Sequence, residues 1–204
     1  SDPVKLFVTL LFIPNLVWAD GVRAVEAFFA ELETLQGGFQ QQVRDGSGQM
    51  IEESFGTIQI QRPGKFHWQT SQPFVQVVVG DGDRIWIYDP DLEQVTVRRQ
   101  DGALGNTPAT LLTHEGALQQ QFSLHPLDRV GHLSWVELTP KQGEGGFEQL
   151  LVAMDGEQLR IIQVEDSLGQ RTRIELLDLM TNISLPEERF QFTPADGVDV
   201  VGDL

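Results

Sequence analysis

Residues Gly56–Arg98 read GTIQIQRPGKFHWQTSQPFVQVVVGDGDRIWIYDPDLEQVTVR. The stretch is a series of short alternating runs cut by turn signals. Ile58, Ile60 and Arg62 share one parity, and Thr57, Gln59 and Gln61 share the other. A strand sends alternate side chains to opposite faces, so Arg62 points to the side of the two isoleucines. Pro63 has no N–H for a ladder and ends the run. Phe66 and Trp68 then alternate with Lys65 and His67, and Ser71-Gln72-Pro73 turns the chain. Phe74–Val79 is apolar on both faces, and Gly80-Asp81-Gly82-Asp83 is a tight turn in which glycine supplies positive φ. Trp86 and Tyr88 face one side of the next run and Ile85 and Ile87 the other; Asp89-Pro90-Asp91 turns again before Val95 and Val97. Such runs predict an antiparallel meander. Arg62 is its oddity, because a guanidinium aimed at an apolar face is costly unless something accepts its hydrogen bonds.

Upstream, Val22, Val25, Phe28, Phe29, Leu32 and Leu35 recur at three- and four-residue spacing. This predicts an amphipathic helix over about Val22–Gln36, with Asp20 as its N-cap and Gly37-Gly38 as its stop. Phe39–Arg44 alternates, Asp45-Gly46-Ser47-Gly48 turns, and Met50–Gln61 returns as the second arm of a hairpin. Further upstream, Lys5 precedes the apolar run Leu6–Trp18, which ends in Ala19. That pattern is a secretory signal peptide cleaved after Ala19; the run is shorter than the roughly 20 residues of a membrane span and contains Pro14 and Asn15. Residues 1–19 are expected to be this leader, with Ser1-Asp2-Pro3 a cloning remnant, and residues 20–204 the working domain. Where the leader is retained and ordered, Leu6–Trp18 is expected to pack on an apolar face.

Downstream, Gly102–Gln121 breaks the β rhythm. Asn106-Thr107-Pro108 is a helix entrance, and Leu104, Leu111, Leu112 and Leu118 give one or two short apolar helices. These act either as a lid over a concave face or as a cap on an ordinary core. Strands are then expected at Phe122–Leu127, His132–Thr139, Phe147–Asp155, Leu159–Glu165, Arg171–Asp178 and Arg189–Phe192. The sum is one mainly β (α+β) domain: an incomplete antiparallel barrel of about eleven strands, with short helices covering a concave hydrophobic face.

Composition narrows the chemistry. The 204 residues are 40% hydrophobic and 22% charged, with a formal net charge of −16. That balance argues against nucleic acid and against anionic membrane surfaces. No cysteine is present, which excludes disulfides, zinc–thiolate sites and cysteine nucleophiles. His67, His114, His125 and His132 show no metal-binding spacing, and no phosphate-binding or nucleophile-elbow glycine pattern occurs. Asp89, Asp91 and Glu93 are explained by a turn around Pro90 rather than by calcium. Asn182-Ile183-Ser184 has the form of a glycosylation sequon. A hydrolase would need a nucleophile–base pair or a metal cluster, and neither is legible. What remains is a surplus of large apolar side chains on a β scaffold. It suggests either an ordinary core or a cavity for an apolar ligand.

The ordered set FQQQVRDGSG (Phe39–Gly48), IQRPGKFHW (Ile60–Trp68), Ser71-Gln72-Pro73, VGDGDRIWIYDPDLEQVTV (Val79–Val97), GNTP (Gly105–Pro108) and FQFTPADGV (Phe190–Val198) resembles the LolA family of periplasmic lipoprotein carriers. The family often carries an aromatic or methionine after GNTP, where this chain has Ala109-Thr110, and TPP where it has Thr193-Pro194-Ala195. The resemblance implies a monomer without cofactor, whose hydrophobic cavity takes the acyl chains of lipoproteins. An inner-membrane ABC transporter loads such a carrier, and the outer-membrane receptor LolB unloads it. It implies that Arg62 bonds the backbone of lid helices within Asn106–Leu118 and keeps the empty cavity shut, with Phe66 at the mouth. Ile58, Ile60, Phe66, Trp68, Trp86, Tyr88, Leu111, Leu112, Phe190 and Phe192 are the candidate lipid-binding residues. Parity divides the aromatics between two faces without saying which face is the cavity. The alternative is a periplasmic binding module for another lipid or hydrophobic ligand.

Overall fold

The computed structural model describes residues 18–100, 108–113, 116–141 and 147–202. Among the described residues, twelve strands form one open sheet in the order β12-β6-β5-β4-β3-β2-β1-β11-β10-β9-β8-β7. The strand order of the meander holds, with shifted ends: β1 (Thr34–Arg44), β2 (Met50–Gln61), β3 (Lys65–Gln72), β4 (Gln76–Asp81), β5 (Arg84–Asp89) and β6 (Gln94–Arg99); Phe74 and Val75 are exposed before β4, and Gly80 and Asp81 are its last residues rather than part of the turn. Two short helices follow, α2 (Pro108–Thr113) and α3 (Leu118–Gln121). The chain resumes with β7 (Phe122–Pro126), β8 (Leu133–Pro140), β9 (Phe147–Asp155), β10 (Gln158–Asp166) and β11 (Arg171–Thr181). β11 closes back on β1 antiparallel, so the two halves of the meander join into one curled sheet.

Helix α1 covers Trp18–Glu31, shifted from the expected Val22–Gln36. Its end is set by strand pairing. Thr34 and Leu35 already pair with Gln61 and Ile60, so ladder bonds win over continued helical periodicity. Leu32 and Leu35 stay buried all the same, because both periodicities turn them inward. Gly37-Gly38 is therefore no helix stop but the middle of β1. A Cβ at Gly37 would lie 2.6 Å from Leu179 Cδ2 and 2.8 Å from the Leu177 carbonyl, where β1 and β11 change register. At the other end α1 starts at Trp18 rather than beyond an Asp20 cap. The Leu6–Val17 part of the expected leader, and the packing expected of it, lie outside the described residues.

The C-terminal reading needs a second correction. Arg189–Phe192 is not a strand: Glu187–Phe190 is a single 3-10 turn. Pro186 before it and Pro194 after it each remove a backbone donor. The last strand is instead β12 (Asp199–Gly202), which adds to β6 in parallel. The segment between runs along the sheet's outer side and covers it.

Two apolar clusters result, one on each side of the sheet. The larger fills the concave side with Val25, Phe29, Leu35, Phe39, Ile58, Ile60, Phe66, Ile85 and many residues of β8–β11, under Leu111, Leu112 and Leu118 of the short helices. The smaller lies outside: Val79, Trp86, Val95 and Val97, with Tyr88, Phe192, Val198 and Val200 against them.

Candidate functional site

Arg62 sits one residue beyond the end of β2. Its Nε donates to the Leu112 carbonyl at 2.9 Å, Nη1 to the Phe29 carbonyl at 2.7 Å and Nη2 to the Leu111 carbonyl at 3.4 Å. Its backbone N–H donates to the Glu33 carbonyl at 2.9 Å. The guanidinium lies over the Phe29 ring, 5.6 Å from the centroid. All of its side-chain partners are the same kind of group. Phe29 stands in the last turn of α1, and Leu111 and Leu112 in the last turn of α2, where carbonyls have no partner within the helix. The Gly64 N–H takes the next one, the Thr113 carbonyl, at 3.2 Å. The Arg62–Gly64 turn is therefore a shared C-terminal cap for two helices.

Arginine suits this position. Its planar fork carries five N–H donors and no acceptor, and a cation favours a helix C-terminus. Burial holds its pKa below the ordinary arginine value, yet a guanidinium stays charged across the range proteins meet. A helix of six residues has little stability of its own, so α2 depends on this cap and on the packing of its leucines. Leu112 is fully buried and Leu111 nearly so.

The pairing registers assign the faces. Ile58 opposes Trp68 and Ile60 opposes Phe66; Phe66 in turn opposes Gly80, and Trp68 opposes Val78. These four candidates lie on the concave side with Leu111 and Leu112. Phe66 is buried inside the cluster rather than standing at its rim, and Gly80 makes room for it. A Cβ there would sit 2.2 Å from Phe66 Cε1. Trp68 is half-buried and leans on Phe39 at 4.6 Å between ring centroids.

Trp86, Tyr88 and Phe192 must be removed from the cavity list. Val79 opposes Trp86 and Val77 opposes Tyr88, on the parity opposite to Phe66 and Trp68. Trp86 stacks on Phe192 at 5.8 Å, and its Nε1 donates to Asp81 Oδ2 at 3.0 Å. The aromatic surplus there seals the C-terminal segment to the sheet. Phe190 is buried but belongs to neither cluster; its 3-10 turn packs on β3 and β4. A Lys65–Glu187 ion pair at 3.1 Å tethers that turn.

Sequence reasoning passed over two residues. Phe29 supplies both a carbonyl and a ring to Arg62, but only its helical spacing was visible. Asn182, noted as a sequon, is a structural clip with φ of 56°. Its Nδ2 donates to the Glu31 carbonyl at 3.0 Å, and its Oδ1 accepts from the Glu33 N–H at 2.9 Å. It thus caps α1 beside Arg62. The available signal was an Asn just after a strand, the residue type that best tolerates a left-handed turn.

The architecture defines a class: an open, curled, mainly antiparallel sheet whose concave apolar face is roofed by helices, two of which, α1 and α2, are fastened by one arginine. A family model described as outer membrane lipoprotein carrier protein LolA matches residues 30–193. The chain belongs to that family. An outer-membrane lipoprotein carrier protein of Methylobacillus flagellatus is 38% identical over 200 residues, covering 98% of both chains. One from Dechloromonas aromatica is 41% identical over 94% of this chain and 92% of its own. Among solved structures, an uncharacterized conserved protein from Thermus thermophilus has the same fold, with a TM-score of 0.54 at 13% identity over 88% of this chain and 95% of that one.

Proposed function

We propose that this protein is a periplasmic chaperone that shelters the acyl chains of lipoproteins on its concave face. In this reading it collects them from an inner-membrane ABC transporter and delivers them to the outer-membrane receptor LolB, acting as a monomer without a cofactor. The observation that carries the reading is the fastening of the roof. The concave cluster is apolar throughout, and the helices over it are held at one flank by hydrogen bonds to backbone carbonyls.

Such a design suits a carrier. Each methylene moved out of water contributes about 0.8 kcal/mol, so an apolar face binds an acyl chain strongly without directional contacts. Hydrogen bonds that can be exchanged for water let the roof open at modest cost, since the net worth of each is on the order of 1.5–3 kcal/mol when one partner is charged. A closed empty state then competes with cargo, which makes release possible.

The test is transfer. Incubated with spheroplasts, the protein should bring lipoproteins into the soluble fraction as a complex and pass them to membranes that carry the receptor. Purified complexes containing other lipids and no lipoprotein would instead favour a general hydrophobic-ligand carrier.

A further inference from the structure

Strand β2 outruns its neighbour. It has twelve residues, against eight in β3. The last pair between them is Phe55 with Gln72, after which Pro73-Phe74-Val75 turns the chain into β4. Among the described residues, Met50–Ser54 therefore have no strand on the β3 side. The ladder says which backbone groups this leaves open. The Arg62 N–H bonds the carbonyl of Glu33, the residue that the β1–β2 register sets opposite it. Hydrogen-bonded pairs recur at every second residue, so even-numbered residues of β2 turn their N–H and C=O toward β1 and odd-numbered ones toward β3. Phe55 is the last odd residue with β3 beside it, and its carbonyl accepts from Ser71 Oγ at 3.1 Å. Glu53, the next, has both backbone groups open. Its side chain is half engaged: Oε1 accepts from Gln40 Nε2 at 2.8 Å and Gln42 Nε2 at 2.9 Å, and Oε2 has no partner among the described residues. Arg44 lies near enough to act on this carboxylate but bonds the Gly48 carbonyl at 3.1 Å.

The surroundings are apolar and acidic. Ile51, at a bulge of β2, is 53% exposed, and Phe74, in the turn where β3 stops, is 72% exposed. The next hairpin tip is tied on by Gln76 Nε2, which donates to Asp89 Oδ1 at 2.9 Å, and it adds exposed Asp91, Leu92 and Glu93. Segments 49–54, 71–76 and 89–94 together hold five carboxylates and no lysine or arginine. We infer that the open edge at Glu53 is a docking site for an extended polypeptide segment of a partner protein, with a basic residue opposite Glu53 and apolar residues two positions to either side. Strand addition draws its affinity from main-chain bonds and its specificity from alternate side chains. A cation directly across from Glu53 is a favourable cross-strand pair, and Phe55 and Ile51 flank Glu53 in the sequence of β2 at two residues either way. A second copy of this chain is disfavoured, because two such edges paired about Glu53 would set like charges face to face. Anionic lipid is repelled by the same carboxylates. Charges alone commonly serve to blunt an edge, but large exposed apolar side chains beside it do the opposite. The site stands apart from the carrier reading: Glu53 is nine residues from Arg62, on the order of 30 Å along the strand, so it can be filled while the roof is shut.

The test uses the full chain, labelled with nitrogen-15, and the acetylated, amidated heptapeptide Thr-Val-Thr-Lys-Thr-Val-Thr. Saturable amide shifts are expected at Met50–Ser54 and Phe74–Val75, with slowed hydrogen exchange of the Glu53 amide. The peptide with glutamate for lysine, and the one N-methylated at lysine, should each bind at least tenfold more weakly. Glu53→Lys should reverse the preference between the lysine and glutamate peptides, and Phe74→Ser should weaken binding severalfold, both with an unchanged circular-dichroism spectrum. Equal binding of the N-methylated peptide would reduce the site to a loose ion pair and overturn strand addition. Absence of saturable shifts at this edge would overturn the site itself. Shifts of the same amides that grow with protein concentration alone would assign the edge to a second copy, and shifts induced by phosphatidylcholine vesicles but not by the peptide would assign it to a membrane; either result overturns the inference.

Discussion

Arg62 places a charge against an apolar cluster, and its partners are carbonyls that no other residue can reach at once. Leucine in its place would keep the packing of the stem and remove the donors. Three carbonyls at two helix ends would then turn to water, and the closed state would lose about 1.5–3 kcal/mol for each of the two short bonds, to Leu112 and Phe29. Arg62→Leu should therefore fold normally, bind lipopeptide about tenfold or more tightly, and release it poorly to the receptor. Normal transfer by this variant would contradict the fastening role. Asn182 works on the same helix end by different means. Asn182→Ala removes two hydrogen bonds and puts alanine at a φ of 56°, which disfavours a side chain with Cβ. A loss of about 1–2 kcal/mol is expected, seen as a fall of about 3–6 °C in melting temperature. Asn182→Gly relieves the backbone but not the lost bonds, so it should recover part of that fall. Identical melting of all three proteins would remove the clip from the account.

The C-terminal 3-10 turn carries a pH response. His67 stands on the outer side of β3, half-buried, with the cation of Arg189 nearby. Burial first, and Arg189 second, hold its pKa below the ordinary 6.5. The unfolded chain takes up a proton near pH 6.5, and the folded chain only at lower pH. The unfolded state thus binds more protons in that interval, and stability falls as pH drops through it. Above pH 6.5 the contribution is complete. The melting temperature should be lower at pH 5 than at pH 7.5, and His67→Gln should flatten the slope. An unaltered slope would place the response elsewhere. Asp81 is also held low, but it titrates in a separate acid range. Its burial opposes the shift and is outweighed by hydrogen bonds from Trp86, Arg84 and Asp83. The elements differ in how legible they were. The meander was readable because alternation and turn glycines are local. The hairpin turn at Gly82, with φ of 105°, sits where Gly80-Asp81-Gly82-Asp83 placed it. The end of α1 was not readable, since Leu32 and Leu35 satisfy helix and strand equally. Pairing with Ile60 and Gln61 decided it from some 25 residues away. β12 was not read for the same reason: Val200-Val201 favour a strand, but so short a run next to Gly202 becomes one only by pairing with β6. Parity paired Phe66 with Trp68 and Trp86 with Tyr88 within their strands, but all four stood as cavity candidates; it took the register across β4 to set the two pairs on opposite faces, and the C-terminal segment, lying over one side, to tell inside from outside. Arg62 was conspicuous because it broke the pattern, whereas its acceptors are backbone atoms, which no sequence displays.

At the scale of the whole molecule, the open question from the sequence was whether α2 is a lid or a permanent cap on the core. The structure shows what each would cost to disturb. α2 has six residues, its last carbonyls end on Arg62 and Gly64, and its Leu111 and Leu112 lie in the concave cluster. Leu112 is fully buried, and Leu112→Ala in a rigid core costs about 2–5 kcal/mol. For a permanent cap that loss would appear in global unfolding, as a fall of at least about 4–8 °C in melting temperature. For a lid it would appear first in the opening equilibrium, because α2 can leave while the twelve-stranded sheet and α1 persist. A carrier whose competent state is a small fraction of the population binds with its intrinsic affinity reduced by that fraction. Weakening closure raises the fraction. Leu112→Ala should then speed amide exchange in α2 by tenfold or more and tighten apparent lipopeptide affinity severalfold, with little change in melting temperature. A large drop in melting temperature, with weaker binding and α2 exchange no faster than that of the sheet, would make α2 part of the permanent core. The opening of the face would then have to come from α1 alone.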